Sequence, residues 1–308
     1  MPSAIGAAAI NLAPADLLSD HGGRVLTSVE VCPVYWGAFW VDATGAPRAR
    51  RLNAFFSFIV ASEHMDMLAE FSKPGRTIST GIRRNSVTVS TSEPGTATPP
   101  TGRLVTDAQI QAQLNAWIAA GTVPPVNANT LYCIFLPPGT VSALGTSRSC
   151  TAFCGYHNHI NGSTFYAVMP FADCTGCRFD TIEHTLTEVA SHELVEAITD
   201  PALNAWFRDS DGSEIGDIVN RQTAIFGGFM VQKEWSNSQQ TGLVVPFGPW
   251  RHLGKIRGHG LEADFDCSGL PQGARSVSVG DVDGDGRAEV VVQIDAASSG
   301  GNDFWVMD

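Results

Sequence analysis

The sequence is poor in charge, and the charge that it has is mostly acidic. Only 16% of its 308 residues are Asp, Glu, Lys or Arg, below the roughly 25% of an average soluble domain. The formal net charge is −12, which argues against a nucleic-acid partner because nucleic-acid-binding surfaces are basic. No stretch approaches the roughly 18 consecutive apolar residues of a membrane-spanning helix. An excess of acids suits calcium, which binds carboxylate and carbonyl oxygens.

Global disorder is excluded, because 44% of the residues are hydrophobic and can fill a core. The length suggests one large domain or two smaller ones. Glycine (31) and proline (17) are plentiful, a composition that favours a loop-rich extracellular protein. The opening MPSAIGAAAINLAPA is only a weak match to a signal peptide, since it lacks basic residues and Asn11 interrupts its apolar run. We nevertheless expect a secreted protein.

Cysteine is concentrated in one segment that contains Cys150, Cys154, Cys174 and Cys177. These four residues predict short-range disulfides formed in an oxidising compartment, with the pairing left open. Two other interpretations of the Cys174–Cys177 pair are a redox motif and half of a zinc site. The total of seven cysteines leaves at least one thiol over if all pairing is internal.

Hydrophobic periodicity predicts a mixture of strands and helices in α+β order over roughly the first 245 residues. Strands are predicted at 25–35, 85–91, 130–136 and 165–169, and helices at 51–71, 107–120 and 180–200. The remaining residues contain two β-branched strands around an acidic turn. We expect a flexible lead-in (1–22), a main domain (23–245) and a small β unit (246–308).

The last predicted helix carries the motif Ser-His-Glu-Leu-Val-Glu. Asp180 is the expected N-cap, with Glu183 completing a capping box. His192 and Glu196 are four residues apart and therefore project from one face of the helix. This is the geometry of the HExxH zinc helix, with glutamate replacing the second histidine. Glu193 then occupies the position of the general base that takes a proton from the attacking water.

A catalytic zinc needs a third protein ligand. Glu214 is the first choice, Asp217 is the alternative, and His157 could bind the metal or polarise a substrate carbonyl. We expect His157 and His159 to face opposite sides of a strand. The acidic loop at 209–217 could instead be a solvated turn or an independent calcium loop.

Solvated helices also carry the His-Glu-x-x-Glu pattern, so its context matters. The surrounding helix is otherwise apolar, a strand at 165–169 precedes it as an edge strand does in zincins, and a second acidic cluster follows it. We therefore predict zinc held by His192, Glu196 and Glu214.

At these residues the chain resembles the phosphate-induced, or EXORDIUM-like, secreted proteins of plants and their bacterial and fungal relatives. The likeness includes HGGRVLTSVEVCPVYWGAFW (21–40), CGYH (154–157), SHELVEAITDPALNAW (191–206), SEIGD (213–217) and VQKEW (231–235). It implies a secreted or wall-associated protein. It also implies one site that groups His157, His192, Glu193, Glu196, Glu214 and Asp217. A cysteine that plant members carry after the last of these residues is missing, since Ile218 and Val219 stand there.

A second metal motif lies near the end of the chain, in DVDGDGRAE at 281–289. Acids alternate around glycines that permit a tight, oxygen-lined turn. The motif is too short for an EF-hand and resembles the calcium loop of FG-GAP or VCBS repeats, which form propeller blades. The predicted calcium ligands are Asp281, Asp283, Asp285, Glu289 and the carbonyl of Arg287. An ion-free acidic turn is the alternative.

Together these patterns predict a secreted, zinc-dependent metallohydrolase that acts on a peptide or protein. Its fold is expected to be α+β, with a zincin-like mixed sheet, an active-site helix and a C-terminal unit like a propeller blade. Two other functions fit the same residues. One is a non-catalytic extracellular binding or adhesion protein, and the other is a carbohydrate-active enzyme that uses Glu193 and Glu214 without a metal.

Overall fold

The computed structural model describes residues 17–98 and 102–245, together with the backbone of three later strands at 274–280, 289–295 and 302–307. The chain divides into two compact units, Met1–Pro246 and Phe247–Asp308. None of the helices in the described part of the chain combines the length and the apolar character that a membrane span requires.

The first unit is α+β. Its helices are α1 (Gly45–Ile59), α2 (Asp107–Ala119) and α3 (Ile182–Thr199), with 3₁₀ turns at Ala38–Val41, Glu63–Phe71 and Asp217–Val219. Its strands are β1 (Leu18–Asp20), β2 (Ser28–Trp36), β3 (Ser79–Arg83), β4 (Val87–Val89), β5 (Thr96–Ala97), β6 (Arg103–Thr106), β7 (Thr130–Phe135), β8 (Thr140–Leu144), β9 (Ser147–Arg148), β10 (Tyr156–Ile160), β11 (Thr164–Met169), β12 (Trp206–Arg208), β13 (Thr223–Phe226), β14 (Phe229–Gln232), β15 (Glu234–Ser236) and β16 (Thr241–Leu243).

A six-stranded mixed sheet forms the centre of this unit. Its order is β10-β11-β7-β2-β3, and β4 also pairs with β2. The inner pairs β11–β7 and β7–β2 are parallel, whereas β10 joins the edge antiparallel to β11. The β10–β11 connection turns through Asn161 and Gly162, which both have positive φ as a tight hairpin of the Asn-Gly type requires. This hairpin places β10, which carries His157, at the edge of the sheet.

The central strands are covered on both faces, so their sequences are apolar at nearly every position. Leu131 and Phe135 of β7 pack in the cluster with α1 and α3, whereas Tyr132 and Ile134 pack in the cluster with α2. This alternation follows the two-residue period of a strand. The face that α3 covers is therefore fixed by the sheet, and the candidate site lies on that face.

The prediction of one continuous helix at 51–71 is wrong. Residues 45–59 form α1, the chain leaves helical geometry around Val60, and a separate 3₁₀ segment follows at Glu63–Phe71. Ser62 separates the two segments because its side chain accepts a hydrogen bond from the His64 amide. A serine at an N-cap starts a new helical segment in this way.

The start of α3 also differs from the prediction. Thr181 is the N-cap, and its side chain accepts a hydrogen bond from the His184 amide at 3.1 Å. Asp180, the predicted cap, instead contacts the His184 ring. Glu183 does not close a capping box but forms an ion pair with Arg48 at 3.0 Å, which ties α3 to α1. The helix nevertheless covers the predicted motif.

The predicted flexible lead-in is wrong for its last residues. Leu18–Asp20 forms β1, which pairs antiparallel with β12, and Leu18 is buried in the main core. Residues 1–16 lie outside the described residues.

The second unit contains β17 (Ala274–Gly280), β18 (Glu289–Asp295) and β19 (Asn302–Met307) in one antiparallel sheet. Gly280 is opposite Glu289 in the register of β17 and β18. The acidic segment thus connects two antiparallel strands, as predicted. Four of the predicted calcium ligands, Asp281, Asp283, Asp285 and Arg287, lie outside the described residues, and the side chain of Glu289 does too.

Candidate metal centre

Helix α3 is buried along almost its whole length, against the sheet on one side and β14 on another. A helix that is surrounded by protein usually carries apolar side chains on all faces. Here three of its buried side chains are glutamates: Glu188, Glu193 and Glu196. Burying a carboxylate is costly unless it is paired or binds a cation, so this part of the helix needs a specific explanation.

The predicted pair on this helix converges. Nε2 of His192 lies 3.2 Å from Oε2 of Glu196, one helical turn away. Both side chains are largely buried, with 14% and 5% of their surface exposed. The imidazole and the carboxylate therefore point at one position between the helix and the loop that follows β12.

His157 enters the same position from the edge strand β10. Its Nδ1 atom lies 3.6 Å from Oε2 of Glu196 and 3.8 Å from Oε2 of Glu193. Its Nε2 atom lies 3.2 Å from the carbonyl oxygen of Asp200 and 3.5 Å from Oε1 of Glu214. His157 is thus surrounded by oxygen atoms and contacts three of the predicted site residues.

The expected opposition of His157 and His159 is wrong. Side chains two positions apart on a strand share a face. The two histidines are opposite Ala167 and Phe165, which both belong to the core on the α3 face. His159 nevertheless lies outside the site, because its ring accepts a hydrogen bond from the Gly162 amide in the hairpin turn.

Glu214 and Asp217 both reach the site, but they approach different histidines. At this site, two groups of ligand atoms are each close enough to hold one cation: His157 with Glu196 and Glu214, and His192 with Glu196 and Asp217. Oδ1 of Asp217 lies 3.8 Å from Nε2 of His192. Glu196 is common to both groups. The structure therefore places Asp217, rather than the first choice Glu214, beside His192 and Glu196.

The rest of the acidic loop is separate from the site. Asp209 forms an ion pair with His21 at 3.0 Å, and Asp211 pairs with Arg208. These exposed acids match the alternative interpretation of a solvated turn. Of the acids in the described segment 209–217, Glu214 and Asp217 are the two that approach His157 and His192.

Two glycines let neighbouring loops press against this face of α3. A Cβ atom on Gly216 would lie 2.6 Å from Nδ1 of His192 and 3.0 Å from Oε1 of Glu196. A Cβ atom on Gly155 would lie 2.6 Å from Oε1 of Glu193. The two distances of 2.6 Å are too short for a real Cβ atom, so glycine at these two positions allows the loops to close over the three site residues.

The protonation states are set by burial and by the surrounding charges. Burial acts to raise the pKa of Glu196, but the attraction of His192 and His157 outweighs it and lowers this pKa to about 2. Burial raises the pKa of Glu193 above its usual range. Burial would lower the pKa of His157, but Glu214 and Glu196 hold it well above the usual value. Glu196 is therefore ionised, whereas Glu193 retains a proton more readily.

Several carboxylate oxygens in the site have no hydrogen-bond partner. They are Oε2 of Glu193, Oε1 of Glu196 and Oε1 of Glu214. Within the described ranges, the ion pairs of these glutamates are made with His157 and His192, not with lysine or arginine. Buried oxygen atoms without donors, beside two imidazoles, form a donor set that suits zinc.

Two residues of this site escaped the sequence-based prediction. Gln232 of β14 places its amide nitrogen 2.8 Å from Nδ1 of His192 and 2.9 Å from the Gly216 carbonyl oxygen, so it positions the ring. Glu234 of β15 is fully buried, and neither of its carboxylate oxygens has a hydrogen-bond partner. Burial raises its pKa well above the usual value. Both residues lie in the VQKEW segment, on either side of Lys233, so no apolar run in the sequence signalled their burial.

A cavity of about 230 Å³ adjoins the site. His192 and Glu193 line one side of it, and the opposite wall comes from the cysteine-rich segment. Cys150 is bonded to Cys174, and Cys154 to Cys177, so the prediction of disulfides is confirmed. They are not short-range as expected, because the bonds span 24 and 23 residues and each links the first pair of cysteines to the second. The redox and zinc interpretations of Cys174 and Cys177 are therefore wrong.

Comparison with known proteins adds no family assignment. No family model matches the chain, and no curated protein is significantly similar to it. The resemblances to EXORDIUM-like proteins and to FG-GAP or VCBS repeats stay predictions.

Proposed function

We propose that the protein is a secreted zinc-dependent metallohydrolase, most simply a peptidase, with a zincin-like first unit. The observation that carries this proposal is the 3.2 Å approach of His192 Nε2 to Glu196 Oε2 on a buried helix, in a cluster with more carboxylates than cationic groups. His192, Glu196 and Asp217 would hold the metal. A bound zinc supplies an acidified water and polarises a carbonyl group.

Glu193 is the general base in this proposal. Its Oε2 atom is buried without a hydrogen-bond partner, so it is free to accept a proton from the attacking water. A raised pKa suits this role, because proton transfer is most efficient when the pKa of the base is near the working pH. The same oxygen can return the proton to the leaving amine.

His157 stabilises developing negative charge. Its Nε2 atom faces Glu214 and the Asp200 carbonyl oxygen, and these acceptors keep the ring protonated. Its Nδ1 atom lies beside Glu193 and can donate to an oxyanion formed there. Glu214 in this scheme is a positioning residue for His157 and not a metal ligand.

The disulfides support secretion, because such bonds persist in oxidising compartments. We further propose that the second unit binds calcium in the manner of an FG-GAP or VCBS repeat. The antiparallel pairing of Gly280 with Glu289, on either side of the acidic segment, supports this proposal.

Metal analysis of protein purified without chelators tests the proposal. We expect about one zinc per chain, lost in His192→Ala and weakened in Asp217→Asn. Glu214→Gln should retain zinc but hydrolyse denatured protein more slowly. Zinc without hydrolysis of any peptide would favour the non-catalytic binding protein. Absence of zinc, with sugar hydrolysis that depends on Glu193 and Glu214, would favour the carbohydrate-active enzyme.

A further inference from the structure

The cavity beside His192 and Glu193 contains a carboxylate that the proposed reaction does not use. Glu188 lines this cavity, and the residue is only 5% exposed. Within 17–98 and 102–245, its carboxylate makes no hydrogen bond and no ion pair; burial raises its pKa to about 7, and only the more distant charges of Arg221 and His192 act against this shift. Burying a carboxylate is costly unless a cation pairs with it, so Glu188 is a candidate binding group for a cationic ligand in the cavity.

The position of Glu188 would allow it to contact a side chain of a bound substrate. It precedes His192 by one helical turn, so the two residues line the same wall of the cavity. Four residues of helix correspond to a rise of about 6 Å. A substrate held at His192 and Glu193 could therefore extend a long side chain along the helix to Glu188.

A disulfide cross-links the part of the cavity lining that comes from the cysteine-rich segment. Phe153, Cys154 and Cys177 line the cavity, and the Cys154–Cys177 bond joins the two loops that form this wall. The volume of about 230 Å³ is many times what one water molecule needs. The cavity is thus a preformed pocket with room for a long side chain.

The charges around the pocket favour a cationic ligand. The opposing charges are His192, which already pairs with Glu196, and Arg221, whose guanidinium stacks on Phe179 at 4.1 Å and donates to the Gly176 carbonyl oxygen at 3.4 Å. Glu188, Glu193 and Asp217 all line the cavity. Three carboxylates in the lining would repel an anionic ligand and attract a cationic one.

We propose that this cavity is a specificity pocket for a lysine or arginine side chain of the substrate, with Glu188 as its counter-ion. The inference rests on the proposed hydrolase function, because it assigns that site a substrate class. Peptides with a basic residue next to the cleaved bond would then be preferred.

A binding experiment tests the pocket without requiring zinc or hydrolysis. Calorimetry on the full chain in chelator would compare N-acetyl-lysine methylamide with the neutral norleucine analogue and with the glutamate analogue. We expect the lysine compound to bind about tenfold more tightly than the norleucine compound, the change expected from one charged hydrogen bond. Glu188→Gln, which keeps the side-chain shape, should remove this preference.

Glu183→Gln is the matched control, because Glu183 lies on the same helix but pairs with Arg48. It should retain the preference. Equal binding of all three compounds, or a lysine preference that survives in Glu188→Gln, would overturn the proposal of a pocket for basic side chains. So would preferred binding of the glutamate compound that is lost in Arg221→Gln. Failure of the hydrolase proposal would show separately, as missing zinc alongside an intact lysine preference.

Discussion

His157 Nε2 on the edge strand lies 3.5 Å from Glu214 Oε1 in the loop after β12, although the two residues are far apart in the chain. This contact joins the sheet edge to the loop that also carries Asp217. The site is therefore assembled from α3, the edge strand β10 and the loop after β12, which are brought together only by tertiary structure. Each part of it can be tested separately.

The first prediction concerns the proton acceptor. Glu193→Gln should lower peptide hydrolysis by about 10²–10⁴-fold, the usual contribution of a general base. Zinc content should not change, because Glu193 is not among the proposed ligands. Parallel measurements of zinc and of turnover check this. Loss of both together would make Glu193 a ligand instead.

The second prediction uses the close approach of Gly216. Gly216→Ala would place a Cβ atom 2.6 Å from Nδ1 of His192, so the ring must shift. We expect zinc affinity to fall by about 10–100-fold, as for other changes that misplace a ligand. Competition with a fluorescent chelator measures it. Ser210→Ala, in the exposed turn of the same loop, should bind zinc as the wild type does.

The third prediction concerns Glu234. Its pKa is raised by burial, so its ionisation destabilises the fold: the loss begins as pH rises through the unfolded-state pKa and grows until the folded-state pKa is reached. In chelator at pH 7, Glu234→Gln should be more stable by roughly 1–3 kcal/mol, because the neutral amide avoids the cost of a raised pKa, about 1.4 kcal/mol for each pH unit above the unfolded-state value. Denaturant unfolding at pH 4 and pH 7 measures the difference, which should shrink at pH 4. A glutamine variant that is less stable at both pH values would contradict it.

The fourth prediction concerns calcium. Asp283→Ala should lower the melting temperature when calcium is supplied and have little effect in chelator, because binding stabilises the folded state by mass action. Differential scanning calorimetry at both conditions checks this. An equal loss in chelator would indicate a structural role for the acidic turn without an ion.

The sequence was most informative where local chemistry determines the structure. The spacing of His192 and Glu196 on a predicted helix was sufficient to predict their convergence, because helical geometry fixes it. The continuous apolar run of β7 indicated a buried strand, covered on both faces. It could not reveal which strands lie beside β7 in the sheet. The break at Ser62 was missed because a capping serine interrupts the helix within an apolar pattern that continues beyond it.

Contacts between distant segments were harder to predict. Which of Glu214 and Asp217 faces His192 depends on the path of the loop over Gly216, which no periodicity encodes. Gln232 and Glu234 come from short strands that meet the helix only after folding. The pairing of Cys150 with Cys174 was likewise open, since spacing alone permits several connectivities.

Both covalent cross-links lie in the wall that faces α3, and neither includes a residue of the helix itself. Cleaving them would loosen the rim around Glu188 while His192 and Glu196 stay on their shared helical turn. On the two proposals made above, reduction of both bonds should therefore weaken the preference for basic side chains while the metal-binding pair on the helix keeps its geometry.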